Sequence, residues 1–80
     1  MKTQTFDATK LKALRDGKHW TLHEMSVEIS VYARAHDLDV RAHPDTIDNW
    51  EKGTCCPPAD MLPVLTALFG RRVQDLYRVE

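Results

Sequence analysis

Three features of the sequence predict a compact all-α fold of five helices. Apolar residues recur at helical three-and-four spacing and nowhere alternate, so no segment reads as a strand. Gly17, Gly53 and Gly70, the three glycines, each fall where an apolar stripe stops, and glycine takes the left-handed C-cap conformation cheaply. The chain has 80 residues, 42% of them hydrophobic, which is enough for one small domain with one core and too apolar for wholesale disorder.

Each element has local signals. Asp7 is a suitable N-cap for a first helix over residues 8–16, with Leu11 and Leu14 as its apolar stripe. Thr21 followed by Glu24 reads as a capping box opening a second helix. Its stripe of Leu22, Met25, Ile29, Tyr32 and Ala33 continues past Ile29, so this helix is expected to reach about residue 35. Residues 37–43 read as a loop. Pro44 suits the first turn of a third helix, where its missing N–H has no partner to lose, and that helix stops at Gly53. Pro58 is expected to open a fourth helix running to Phe69, kinked near its start by Pro63. A short fifth helix is expected over residues 73–77. The predicted core comprises Leu11, Leu14, Trp20, Leu22, Met25, Ile29, Ile47 and Trp50 from the first three helices and the turn between the first two. Leu62, Leu65, Leu68, Phe69, Val73 and Leu76 complete it.

Composition excludes several classes. No apolar run approaches the roughly 20 residues that span a bilayer, and residues 1–6 lack a signal-peptide core, so a cytoplasmic location is expected. The formal net charge of -1 argues against non-specific coating of nucleic acid but not against a specific reader, for which the distribution of charge matters more. Cys55 and Cys56 are adjacent; a bridge between them would be strained and pin no loop, so two free thiols are expected. His19, His23 and the two cysteines lack the convergent spacing of a zinc site, and no nucleophile motif or Gly-rich phosphate loop occurs. Neither an enzyme nor a metal, cofactor or small-molecule site is expected.

Five pieces of sequence, in order, resemble the lambda-repressor-like (Cro/XRE-type) helix-turn-helix family. They are residues 11–15 (LKALR), 20–25 (WTLHEM), 46–53 (TIDNWEKG), 57–70 and 73–76 (VQDL), so the likeness extends over about residues 6–77. The resemblance implies a helix-turn-helix domain whose third helix enters the DNA major groove. It also implies an ion pair between Arg15, late in the first helix, and Glu51, which follows the aromatic residue of the third. The family's turn is roughly 3–4 residues long. Here residues 30–43 stand in its place, so the second helix is prolonged, the connection to the third is long, or both.

On that reading the DNA-binding candidates are Thr21, Arg41, His43, Asp45, Thr46, Asn49, Lys52 and Thr54. Asn49 suits bidentate bonding to adenine, Thr46 a thymine methyl, and Asp45 the amino group of cytosine; Lys52 and Thr54 suit phosphate. Two carboxylates, Asp45 and Asp48, with no arginine make an unusual reading head, because phosphates penalise an acid without a base partner. Asp45 capping the helix and Asp48 facing away is the alternative. The 30–43 insertion carries Arg34, His36, Arg41 and His43, which suits added DNA contacts; it also reads as a solvated extension, or as a partner surface through Val31, Leu38 and Val40. The overall expectation is a small Cro-like or repressor protein, of phage or prophage type and nucleoid-associated. It would bind a palindromic operator as a homodimer through Phe69, Val73 and Tyr77. A protein-interaction module on the same scaffold, partner regulator or antitoxin-like, is the alternative.

Overall fold

The computed structural model describes residues 4–79. Four α-helices make up most of it: α1 (Ala8–Gly17), α2 (Leu22–Ala35), α3 (Pro44–Lys52) and α4 (Leu62–Phe69). Two short strands, β1 (Gln4–Phe6) and β2 (Tyr77–Val79), pair antiparallel with Phe6 opposite Tyr77, which corrects the expectation of a strand-free chain. Three residues each give no period to read, so this pair left no signal in the sequence.

The first three helices begin where their caps dictate. Asp7 Oδ1 accepts the Thr9 and Lys10 amides at 3.0 and 3.4 Å. Thr21 Oγ1 accepts the Glu24 amide at 3.1 Å while the Glu24 carboxylate accepts the Thr21 amide at 3.2 Å, a complete capping box. α3 opens with Pro44, and the residue that caps it is His43, whose Nδ1 accepts the Asp45 amide at 3.3 Å. Asp45 therefore does not cap.

The helix ends divide differently from expectation. Gly53 and Gly70 are left-handed, with φ of 79° and 62°. Gly17 is not; it closes α1 within the helix, and the left-handed residue in the following turn is His19, with φ of 60°. α2 runs the full expected length and is stopped by Asp37, also left-handed at φ of 55°. The Leu38 amide there donates to the Ala33 carbonyl at 2.8 Å and the Asp37 amide to Arg34, the paired bonds of a Schellman stop. Aspartate is one of the few non-glycine residues that visits this conformation routinely.

The C-terminal third needs two corrections. Pro58 is extended and opens no helix; a 3-10 helix (Ala59–Met61) precedes α4, and Pro63 sits in the first turn of α4 without breaking any ladder bond. The fifth helix is a 3-10 helix (Val73–Leu76) that leads directly into β2.

Leu11, Met25, Ile29, Ile47, Met61, Val64, Leu65 and Leu76 are fully buried, and Trp50 nearly so. Such a side chain contributes about 1.5–3 kcal/mol on leaving water, so this cluster is the main source of stability. Leu14, Trp20, Leu22, Leu62 and Leu68 pack half-buried around it. Phe6, Met61 and Val64 join the core unannounced by any helical stripe, while Val73 is 44% exposed and does not belong to it. α3 packs on both α1 and α2, so its orientation is fixed from two sides.

Candidate functional site

α3 divides cleanly around its axis. Ile47 and Trp50 point into the core, and Glu51 is nearly inaccessible, its side chain 4% exposed. Asp45, Thr46, Asn49 and Lys52 lie exposed on the outward arc, with Asp48 at its edge.

Glu51 is held by Arg15 across the α1–α3 junction. Arg15 Nε donates to Glu51 Oε2 at 2.7 Å and Nη2 to Oε1 at 2.9 Å, while Nη1 donates to the Trp20 carbonyl at 2.8 Å. All three guanidinium nitrogens are thus engaged, and the pair has the bidentate geometry the resemblance implies. The hydrogen bonds it donates to Glu51 hold the Arg15 guanidinium above its ordinary pKa, against the opposing effect of burial, with smaller help from the Glu51, Asp16 and Asp48 charges. The same clamp fixes the Trp20 carbonyl and so the turn between α1 and α2.

The other end of α3 hangs on residues 36–43. Ser26 Oγ, on α2, donates to the Ala42 carbonyl at 2.6 Å, and Ala42 itself is buried in the core. Val40 packs against that core as well. The connection is therefore anchored at Val40 and Ala42, while His36, Asp37, Leu38, Asp39, Arg41 and His43 remain exposed. No local signal in the sequence marks Ser26, because its partner lies 16 residues along the chain.

The remaining candidates are placed as follows. Arg41, His43 and Thr54 are exposed beside the two ends of α3, and Thr21 is exposed at the start of α2. Lys52 Nζ lies 2.8 Å from Asp48 Oδ2, an i, i+4 pair whose spacing was readable in the sequence. Bonding to Asp48 holds the Lys52 ammonium above the ordinary lysine value. The outward arc of α3 thus carries two carboxylates against one ammonium, and that ammonium is already partnered.

The proposed dimer surface does not survive as drawn. Phe69 is 7% exposed and packs against Trp20 with ring centroids 5.7 Å apart, so it is a core residue. Tyr77 is half-buried in β2, edge-on to Phe6. Only Val73 is free to meet a partner. Of the insertion's apolar residues, Val31 and Leu38 are 58% and 42% exposed.

Cys55 and Cys56 are free and exposed. His19 lies in the turn before α2, so His19 and His23 share no helix. No group of three or more metal-ligating side chains occurs among the described residues. No helix among them is long and apolar enough to cross a membrane. In comparisons with family models, curated proteins and solved structures, the chain matches none.

Proposed function

We propose that the protein is a sequence-specific reader of double-stranded DNA, a small Cro-like or repressor-type regulator on a lambda-repressor-like scaffold, with α3 as the reading helix. The observation that carries this is the outward arc of α3, where Thr46 and Asn49 are exposed on a helix fixed through Ile47, Trp50 and Glu51. A helix held from behind at a defined angle can present base-edge contacts without an ordering cost. Asn49 would read adenine and Thr46 a thymine methyl; Asp45 would accept from cytosine. Thr21 uses its oxygen lone pair within its cap, which leaves the hydroxyl proton for a phosphate. Arg41, His43 and Thr54 would flank the groove. Lys52 would share its ammonium between Asp48 and a phosphate, since one bond to Asp48 leaves two of its three donors free. A single small module makes few base contacts, and a homodimer on a palindromic operator, with Val73 at its interface, would supply the missing affinity.

Selection from a random duplex pool at two salt concentrations tests the reading. An enriched palindrome whose affinity falls steeply with salt supports it, and Asn49→Ala with Lys52→Ala should then abolish the enrichment. No enrichment at low salt would sink it.

One observation favours a second reading. Val27 and Val31 lie one turn apart on the exposed face of α2, and Leu38 follows just beyond its end. A protein-interaction module would use that apolar surface, and Val31→Ser with Leu38→Ser would abolish its function while Asn49→Ala would not.

A further inference from the structure

A groove runs along α1 on the flank away from α3. Ala13 and Arg15, which belong to the groove and to the Glu51 clamp respectively, are two residues apart, or about 200° around the helix. The groove consists of two adjoining concavities of 410 and 360 Å³ that share Ala13, Leu14 and Arg71. Its floor is apolar: Leu14, Ala13 and the edge of Phe69, with Gly17 adding no side chain. Its rim is cationic. Lys10 stands at one end, Lys18 at the other and Arg71 on the opposite wall.

These cations are not neutralised. Among the described residues no carboxylate lies within 4.0 Å of any of the three. Lys10 Nζ donates to the Tyr77 carbonyl at 2.9 Å, which positions the charge without cancelling it. Lys18 Nζ sits 5.9 Å from the Trp20 ring, which does the same. One acid, Asp75, also lines the groove; its Oδ2 accepts the Arg72 amide at 3.1 Å, which orients the carboxylate without removing its charge, so the rim carries three cations against one anion.

We propose that this groove binds an acidic peptide segment that carries an apolar side chain between its carboxylates. The floor decides against a nucleic-acid backbone, which has no apolar group to bury there, and the rim decides against a purely apolar partner. The spacing sets the motif. Lys10 and Lys18 are separated by about 12 Å along the helix axis, which an extended peptide covers in about four residues. The ligand is therefore two carboxylates about four residues apart with a leucine-like residue between them.

This site shares no residue with the arc of α3, so it stands or falls separately from DNA reading. The probe is a fluorescein-labelled synthetic peptide with two glutamates flanking a leucine at that spacing, titrated at low salt into the full chain and followed by anisotropy. Binding is expected to weaken roughly tenfold in Lys18→Glu/Arg71→Glu and to stay unchanged in Asn49→Ala. The Trp20 indole resonance should move on binding, since Lys18 stands over its ring, and the buried Trp50 should not. Circular dichroism of the double variant controls for folding, and Lys10→Gln provides a milder second variant. Absence of binding at low salt would overturn the proposal. So would equal affinity for a peptide with serine in place of leucine, because the floor would then contribute nothing. A random DNA duplex that loses affinity in Lys18→Glu/Arg71→Glu, while the peptide does not, would assign the groove to nucleic acid instead.

Discussion

At its C-terminal end α3 is tied to α1 by a bidentate charged pair, Arg15–Glu51, with side chains 12% and 4% exposed. At its N-terminal end it is tied to α2 by one neutral bond, Ser26 to the Ala42 carbonyl, and a histidine cap on exposed ground. The two ends of one short helix are thus held by opposite means. A buried ion pair is costly to break, because each partner left behind is a charge out of water, yet it adds little relative to a well-packed apolar substitute. A neutral bond to a buried carbonyl loses less when broken. The C-terminal end should behave as a fixed pivot and the N-terminal end as the part that yields first.

The sharpest way to break this contrast is Glu51→Ala. It strands the Arg15 guanidinium and should cost about 3–5 kcal/mol in urea unfolding. Arg15→Met combined with Glu51→Leu should recover most of that loss, and a double variant as weak as the single one would mean the pair contributes net stability. Next in size is Ser26→Ala, at about 1–2 kcal/mol. Hydrogen exchange should rise at residues 38–46 and stay unchanged at 49–52; a uniform rise would erase the distinction between the ends. Smaller again are the two helix stops. Gly53→Ala should cost about 1 kcal/mol from its positive φ alone, since a Cβ there meets nothing within 4 Å. Asp37→Gly should move stability the other way, by about 0.5 kcal/mol, by relieving a left-handed aspartate. Smallest is Asp48→Asn. The folded Lys52 value is raised, so the pair contributes fully below the ordinary lysine range and is lost as pH climbs through the raised value. On the exposed face that contribution is slight, but the Lys52 resonance should titrate at lower pH in the variant, and no change would mean the pair does not persist in solution.

How far these elements were legible follows from the range of the forces that build them. The caps at Asp7 and Thr21, the stop at Gly53 and the length of α2 are local, written within a few residues, and the sequence carries them openly. The Arg15–Glu51 contact is distant along the chain and came only through the family resemblance. Ser26–Ala42 had neither route. The glycine rule failed at Gly17 because the turn into α2 is governed by Arg15 gripping the Trp20 carbonyl, a tertiary constraint that places the left-handed residue at His19 instead. Phe69 was legible as core from its stripe on α4, but not as unavailable for a dimer surface, because the partner that covers it, Trp20, stands between two helices where no periodicity exists to read. For the candidate site, residue identities along α3 and the i, i+4 spacing of Asp48 and Lys52 were readable, while their accessibility needed the fold.

The antiparallel pairing of Gln4 with Val79 closes the backbone almost into a loop. Contacts so far apart along the chain carry a large entropy of loop closure. In engineering terms the molecule is close to cyclic. A few linking residues could join its described ends, and new ends could be opened at Leu38 and Asp39, where the chain is exposed between α2 and α3. Such a permuted chain would begin with α3 and end with α2, which packs against it.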